Sequence, residues 1–192
     1  MQEKKEITYF DEITQDNTPQ LLKIVKHYVK ETGIHDIVIS SNSGKSALEL
    51  SKLLEDVDVN LIAISLHSGF SEGDDISWNK QYKQQLEEKS VTCFIGTHAL
   101  SGIDRGFSRK FGGFNPAELV AETYKTISVG VKVAVEISIM AADAGLVPTT
   151  RPILAIGGHR GYGVDSAIVL KTAHMNNIFD LKVHEILAMN KK

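Results

Sequence analysis

Four short apolar runs constrain this chain more than any other feature: 37–39 (IVI), 61–66 (LIAISL), 91–95 (VTCFI) and 152–156 (PILAI). Each is too short for a helix and too continuously apolar for a strand with one wet face, so each reads as a strand buried on both sides. The first three alternate with helix-patterned segments. The first helix has Asn17 or Thr18 as its cap, Pro19 at its start, Leu21, Leu22, Val25, Tyr28 and Val29 as its apolar stripe, and Gly33 as its stop. Residues 47–54 and the polar, exposed 78–88 supply two more. Strand, helix, strand, helix, strand in this order implies an α/β fold with a mostly parallel sheet covered on both faces.

The second half is less regular. Residues 97–115 are rich in glycine, carry Arg105, Arg109 and Lys110 among Phe107, Phe111 and Phe114, and read as a long loop, either a lid or binding loop or equally a surface excursion pinned down by its aromatics. Val131, Val133, Val135, Ile137 and Ile139 alternate as a strand would, but Val129, Val133, Ile137, Met140, Ala141 and Ala144 also form a helical stripe, and Gly145 supplies a stop. A well-buried helix is the better reading. Residues 166–171 form another strand, and 181–187 a last one near an edge. With 192 residues and no linker, repeat or low-complexity tract, one domain is the simplest organisation.

A net charge of -3 gives a nucleic-acid partner no general electrostatic support. No apolar stretch reaches membrane-spanning length, and residues 1–6 (MQEKKE) have no apolar core of a signal peptide, so a soluble cytoplasmic protein with no membrane partner is expected. Self-association is left open. Cys93, the one cysteine, reads as a buried strand residue rather than a catalytic thiol.

The stretch 43–46 (SGKS) ends like a triphosphate-binding P-loop. That motif needs a further glycine at position 39, where Ile39 lies inside the strand, so the loop is too short to wrap a triphosphate. A smaller site survives. The helix that follows offers free N–H groups and a positive dipole end, with Ser41, Asn42, Ser43, Lys45 and Ser46 around it and Gly44 easing the turn. One phosphate group suits such a place. A serine cap alone would explain these residues, but a second loop, 158–163 (GHRGYG), also follows a strand. There Gly158 and Gly161 let backbone approach a ligand, and Arg160 can grip a phosphate in a forked geometry. Both loops would meet at the carboxyl edge of the sheet.

Two more loops follow strands, bringing His67, Thr97 and His98 to the same edge, with Arg105 beyond. His67, His98 and His159 could be imagined as a metal site, but no carboxylate pattern supports one, and hydrogen bonding to a ligand is the preferred role. No nucleophile–base pair can be assigned from the sequence, so the catalytic residues are unknown.

These stretches carry a resemblance. The segment 36–54 (DIVISSNSGKSALELSKLL) resembles the effector-phosphate loop in the C-terminal domain of pyruvate kinases, and 153–173 (ILAIGGHRGYGVDSAIVLKTA) its last glycine-rich hairpin. The stretches 96–113, 130–146, 155–161 with Asp165, and 173–186 are similar to the stand-alone prokaryotic pyruvate kinase C-terminal-domain-like family. That resemblance implies a three-layer α/β/α fold of pyruvate kinase C-terminal-domain-like type and a flavin mononucleotide ligand, without a known reaction. Pyruvate kinase activity itself is not expected, since there is no catalytic barrel. Flavin mononucleotide fits the residues: one phosphate for the 41–46 loop, and aromatic cover from Phe107 to Phe114 for a flat ring. The expected function is therefore binding of a phosphorylated small molecule, flavin mononucleotide first, with flavin-dependent redox chemistry if the protein is an enzyme. The alternatives are a regulatory module sensing a sugar phosphate and, more weakly, a phosphotransferase or hydrolase.

Overall fold

The computed structural model describes residues 4–70 and 73–192. Residues 1–3, where the reading of the N-terminus begins, lie outside the described residues. The elements run β1 (Thr8–Phe10), α1 (Asn17–Thr32), β2 (Asp36–Ser40), α2 (Lys45–Leu53), β3 (Asn60–Ser65), α3 (Lys80–Glu88), β4 (Thr92–Ile95), α4 (Gly102–Phe111), α5 (Pro116–Lys125), α6 (Val129–Asp143), β5 (Ile153–His159), β6 (Gly163–Lys171) and β7 (Lys182–Asn190). A short 3-10 helix (Met175–Asp180) precedes β7.

The strands form one seven-stranded sheet in the order β1-β7-β6-β5-β2-β3-β4. All neighbouring pairs are parallel except β5–β6 and β6–β7, so β6 alone runs against the rest. Alternate residues of one strand feed two separate cores, as the two-residue period of a strand requires. Ile37 and Ile39 of β2 pack with Leu21, Leu22, Val25 and Val29 of α1 and Ala47, Leu48 and Leu50 of α2. Val38, between them, packs on the other face with Val131, Ala134, Val135 and Ile139 of α6. Helices therefore cover both faces, and the architecture is three-layer α/β/α with a mostly parallel sheet, as expected.

α6 explains why its sequence pattern was ambiguous. Nearly every residue from Gly130 to Ala142 is buried, Val133 being the exception, so the helix is covered on almost every side and its alternating valines do not mark a strand. It lies unusually close to β5 and β6. A Cβ at Gly157 would fall 2.1 Å from Gly130 O, and one at Gly130 would fall 2.2 Å from Ser166 Oγ. Two glycines facing each other across helix and strand permit that approach.

Several expectations need correction. Residues 102–111 are helix α4, not loop, and the chain turns at Gly112 and Gly113 into α5, which opens on a capping box between Asn115 and Glu118. Trp78 is not a surface residue of an exposed helix. It precedes the helix N-cap Asn79, whose side chain accepts from Gln81 N and Tyr82 N, and it packs against the α1–α2 core. Cys93 is half-buried, because β4 is an edge strand, and burial raises its thiol pKa. β1 was not foreseen: it has three residues, of which Phe10 alone is buried. Among the described residues no helix is long and apolar enough to cross a membrane.

Candidate functional site

The strand order reverses between β5 and β2: from β2 the chain proceeds outward through β3 to β4, then returns to place β5 on the opposite side. A crevice at the carboxyl ends of strands where order reverses is the usual ligand position in open α/β sheets. Here it is a cleft of about 830 Å³, walled by the β2–α2 loop, the β5–β6 turn, the first turn of α1 and the inner side of α6.

The β2–α2 loop spans residues 41–44 and is strapped to β3. Ser41 N donates to Ile64 O at 2.9 Å, and Ser65 Oγ donates to Asn42 O at 2.7 Å. Ser41 is buried, and its Oγ accepts from Ala47 N at 3.2 Å, so it acts as a remote cap of α2. Ser43 Oγ lies 3.4 Å from Lys45 N. The first intrahelical bond is Leu48 N to Gly44 O. Of the opening N–H groups of α2, Ser46 N is thus the one that neither serine serves.

The β5–β6 turn is held from below. Thr18 Oγ1 on α1 donates to Val164 O at 3.1 Å and accepts from Val164 N at 3.0 Å. Gly163, at φ +92°, sits where a Cβ would be 2.3 Å from that same oxygen. The turn thereby presents Arg160 to the cleft. Phe70, in the loop after β3, gathers the cationic side: the Arg105 and Arg160 guanidinium carbons each lie 5.4 Å from its ring centre. The His98 ring lies 5.1 Å from both Phe70 and His67. Burial pushes the His98 imidazole below its ordinary pKa; Glu136 opposes this, while His67, Lys132 and Arg105 reinforce it.

Ten sequence-derived candidates line the cleft: Ser41, Asn42, Ser43, Lys45, Ser46, His98, Arg105, Gly158, Arg160 and Gly161. Three do not. Gly44 is buried at φ +97°, with its Cβ position 3.1 Å from Trp78 and Tyr82, so it serves the packing of α3 on the loop. His67 turns its Nδ1 to Ser68 O at 2.6 Å and stacks edge-on against Phe70 and His98. Thr97 is exposed outside the lining.

Lys132, Glu136 and Asp165 were missed as functional candidates, and His159, expected to hydrogen-bond a ligand, was not expected to have a carboxylate partner. Lys132 and Glu136 lie one turn apart on α6, both buried, with Nζ 2.6 Å from Oε2, and both line the cleft. A charged pair at this spacing inside an otherwise apolar helix was a readable signal. His159 lines the cleft with its Nδ1 2.5 Å from Oδ2 of buried Asp165. These two residues straddle a tight turn, and only the register shift between Gly157 and Gly158 brings them together. Among the described residues no group of three His, Cys, Asp or Glu side chains could hold a metal ion.

No family model matches the chain. Solved structures similar to it include an NH3-dependent NAD synthetase from Campylobacter jejuni in complex with the nitrate ion. That match has 15% identity and a TM-score of 0.30 and covers 58% of this chain and 47% of that one. An NAD+ synthetase from Burkholderia pseudomallei has 13% identity and a TM-score of 0.30, with 67% of this chain and 49% of that one covered. The chain spans about half the length of each, and similarity at this level assigns it no activity. The expected membership of the pyruvate kinase C-terminal-domain-like family is corrected by these comparisons: no family model supports it, and these neighbours are NAD synthetases rather than pyruvate kinase domains. The flavin mononucleotide and flavoprotein readings, and the regulatory sugar-phosphate reading, came with that resemblance and fall with it.

Proposed function

We propose that the cleft binds a phosphorylated small molecule, in a protein that works in the cytoplasm. The observation that carries this reading is the convergence of Lys45, Arg105 and Arg160 with the start of α2 on one cleft. The cations come from three separate elements. Arg105 and Arg160 each pack 5.4 Å from the centre of one aromatic ring, Phe70. Guanidinium groups bind phosphate oxygens in pairs of charge-assisted hydrogen bonds, and a helix start adds N–H donors and a favourable dipole. Lys45 is only loosely engaged with Glu49, at 3.9 Å on an exposed surface, so that contact costs little to give up. The apolar part of the lining, including Ile64, Val133, Ile137 and Met140, gives room for the uncharged body of the ligand.

The test is thermal unfolding with inorganic phosphate, pyrophosphate and a panel of phosphate monoesters, against the same molecules without phosphate. Ligands that bind only the folded chain raise its stability, by about 2.7 kcal/mol at roughly 100 times their Kd. Stabilisation by phosphorylated compounds alone, reduced in Arg105→Ala and Arg160→Ala, is the expected result. Equal responses to the phosphorylated and unphosphorylated sets would refute the reading.

A further inference from the structure

We propose that His159 is a phosphoryl-accepting nucleophile in this cleft and that Asp165 is its positioning residue. The inference rests on the phosphorylated-ligand reading and deepens it.

The pair is built asymmetrically. Asp165 is buried, with its Oδ2 2.5 Å from His159 Nδ1. Its Oδ1 accepts from Ser166 Oγ at 2.8 Å, and that hydroxyl lies 3.3 Å from Ser128 Oγ at the cap of α6. The first turn of α6 closes over the carboxylate: any side chain at Gly130 would put its Cβ 2.3 Å from Asp165 Oδ1. An ionised carboxylate only accepts hydrogen bonds, so it fixes the ring proton on Nδ1 and leaves the lone pair on Nε2. Among the described residues, no hydrogen bond reaches Nε2, while His159, with its side chain 13% exposed, is one of the residues lining the cleft. A purely structural hydrogen bond would need both partners only for packing. This one engages one ring nitrogen through Asp165, in a residue that lines the same cleft as Arg160, the next residue, and Arg105.

Those cations have a chemical consequence. A phosphate dianion repels an incoming lone pair, and guanidinium groups on its oxygens remove that repulsion and stabilise the charge in the transition state. The step is the attack of Nε2 on phosphorus. A nitrogen–phosphorus bond forms, the bond to the leaving oxygen breaks, and its electron pair departs with an acetate, phenolate or alkoxide. The ring becomes a phosphorylated imidazolium, whose positive charge faces Asp165. Water then attacks phosphorus, the nitrogen–phosphorus bond breaks, and neutral His159 returns with release of dihydrogen phosphate. An alkoxide leaving group recovers its proton from that phosphate. The net reaction is hydrolysis of a phosphate monoester or acyl phosphate.

The experiment exposes the full chain to acetyl phosphate and to p-nitrophenyl phosphate, quenches in alkali and maps phosphorylated peptides by mass spectrometry. In parallel, the thermal shift with inorganic phosphate is measured on each variant. The expected result is an acid-labile phosphoryl group on His159, absent in His159→Asn, while phosphate still stabilises that variant. Asp165→Asn should slow labelling at saturating acetyl phosphate by at least about tenfold, because orienting an imidazole through its second nitrogen is worth that much in catalytic histidines. The half-saturating concentration should stay unchanged, a split that simple unfolding would not give. Phosphate stabilisation without label on His159 would overturn the nucleophile and leave the binding reading standing. Absence of both would overturn the two together. Should His159→Asn fail to fold, His159→Gln and the peptide map of the unaltered chain decide the matter.

Discussion

Glu136 uses both carboxylate oxygens: Oε2 lies 2.6 Å from Lys132 Nζ on its own helix, while Oε1 accepts from Leu100 N at 2.9 Å. One side chain thus joins the buried face of α6 to the segment that leads into α4. Both charges are out of water, the Lys132 and Glu136 side chains being 10% and 4% exposed. Taking charges out of water is tolerable only while they remain paired.

Lys132→Met should therefore destabilise the protein strongly, by about 3–5 kcal/mol, because it leaves an uncompensated carboxylate in the core. Adding Glu136→Gln should restore much of the loss, since a neutral amide oxygen can still accept from Leu100 N. Urea unfolding of the two single variants and the double variant measures the coupling. Simple additivity would mean that the two side chains act independently.

The α6–β5 contact admits no side chain. Gly157→Ala would set a Cβ 2.1 Å from Gly130 O and 2.6 Å from Ala134 N, both backbone atoms that cannot rotate away. A loss of at least about 1–3 kcal/mol is expected in the unfolding free energy. Gly161→Ala, where nothing lies within 4 Å, should show only the smaller strain of its +87° φ. Comparable losses at the two positions would contradict the packing argument.

His98 should make the protein less stable towards acid. Burial depresses its folded pKa below the ordinary value, so the unfolded chain binds the proton more readily. The stabilising difference is full above the unfolded pKa, about 6.5, and is lost as pH falls from there through the lower folded value. His98→Gln should flatten the pH dependence of the melting temperature over that window. An unchanged slope would assign the acid sensitivity to other groups.

Phe70 should influence ligand affinity without touching charge. Replacing it with Leu removes the ring against which Arg105 and Arg160 both pack. A cation over an aromatic ring is worth about 0.5–1 kcal/mol at an exposed site, so phosphate affinity should fall about two- to fivefold. Arg160→Ala should cost more, about tenfold or above, from lost charged hydrogen bonds. Titration calorimetry with pyrophosphate would separate the two effects.

Much of the fold was legible because its strands are continuous apolar runs and α1 has a clear stripe ending at Gly33, which does adopt φ +66°. α4 escaped for a physical reason. It has no buried residue and contains glycines, and Ile103 and Phe111 stand 75% and 71% exposed. It is held by hydrogen bonds to α5: Ala117 N to Asp104 Oδ2, Asn115 Nδ2 to Asp104 O, and Ser108 Oγ to Glu118 Oε1. Hydrophobic periodicity carries no trace of such bonds. In the site, the polar loops could be placed because strand ends converge in an α/β sheet. The pairing of His159 with Asp165 could not, because it depends on a bulge and on how closely α6 descends onto β6.

The direction of β6 has a consequence for how this cleft could change. A parallel neighbour to β5 would require a crossover helix, whereas the antiparallel β6 needs only residues 160–162 to make the return. That short return carries Arg160 and lies beside the ligand space, with both its ends fixed by strand pairing and by Thr18. Insertions there would reshape one wall of the cleft while every crossover stays as it is. Among the segments around the site, it is the natural place to graft a new specificity.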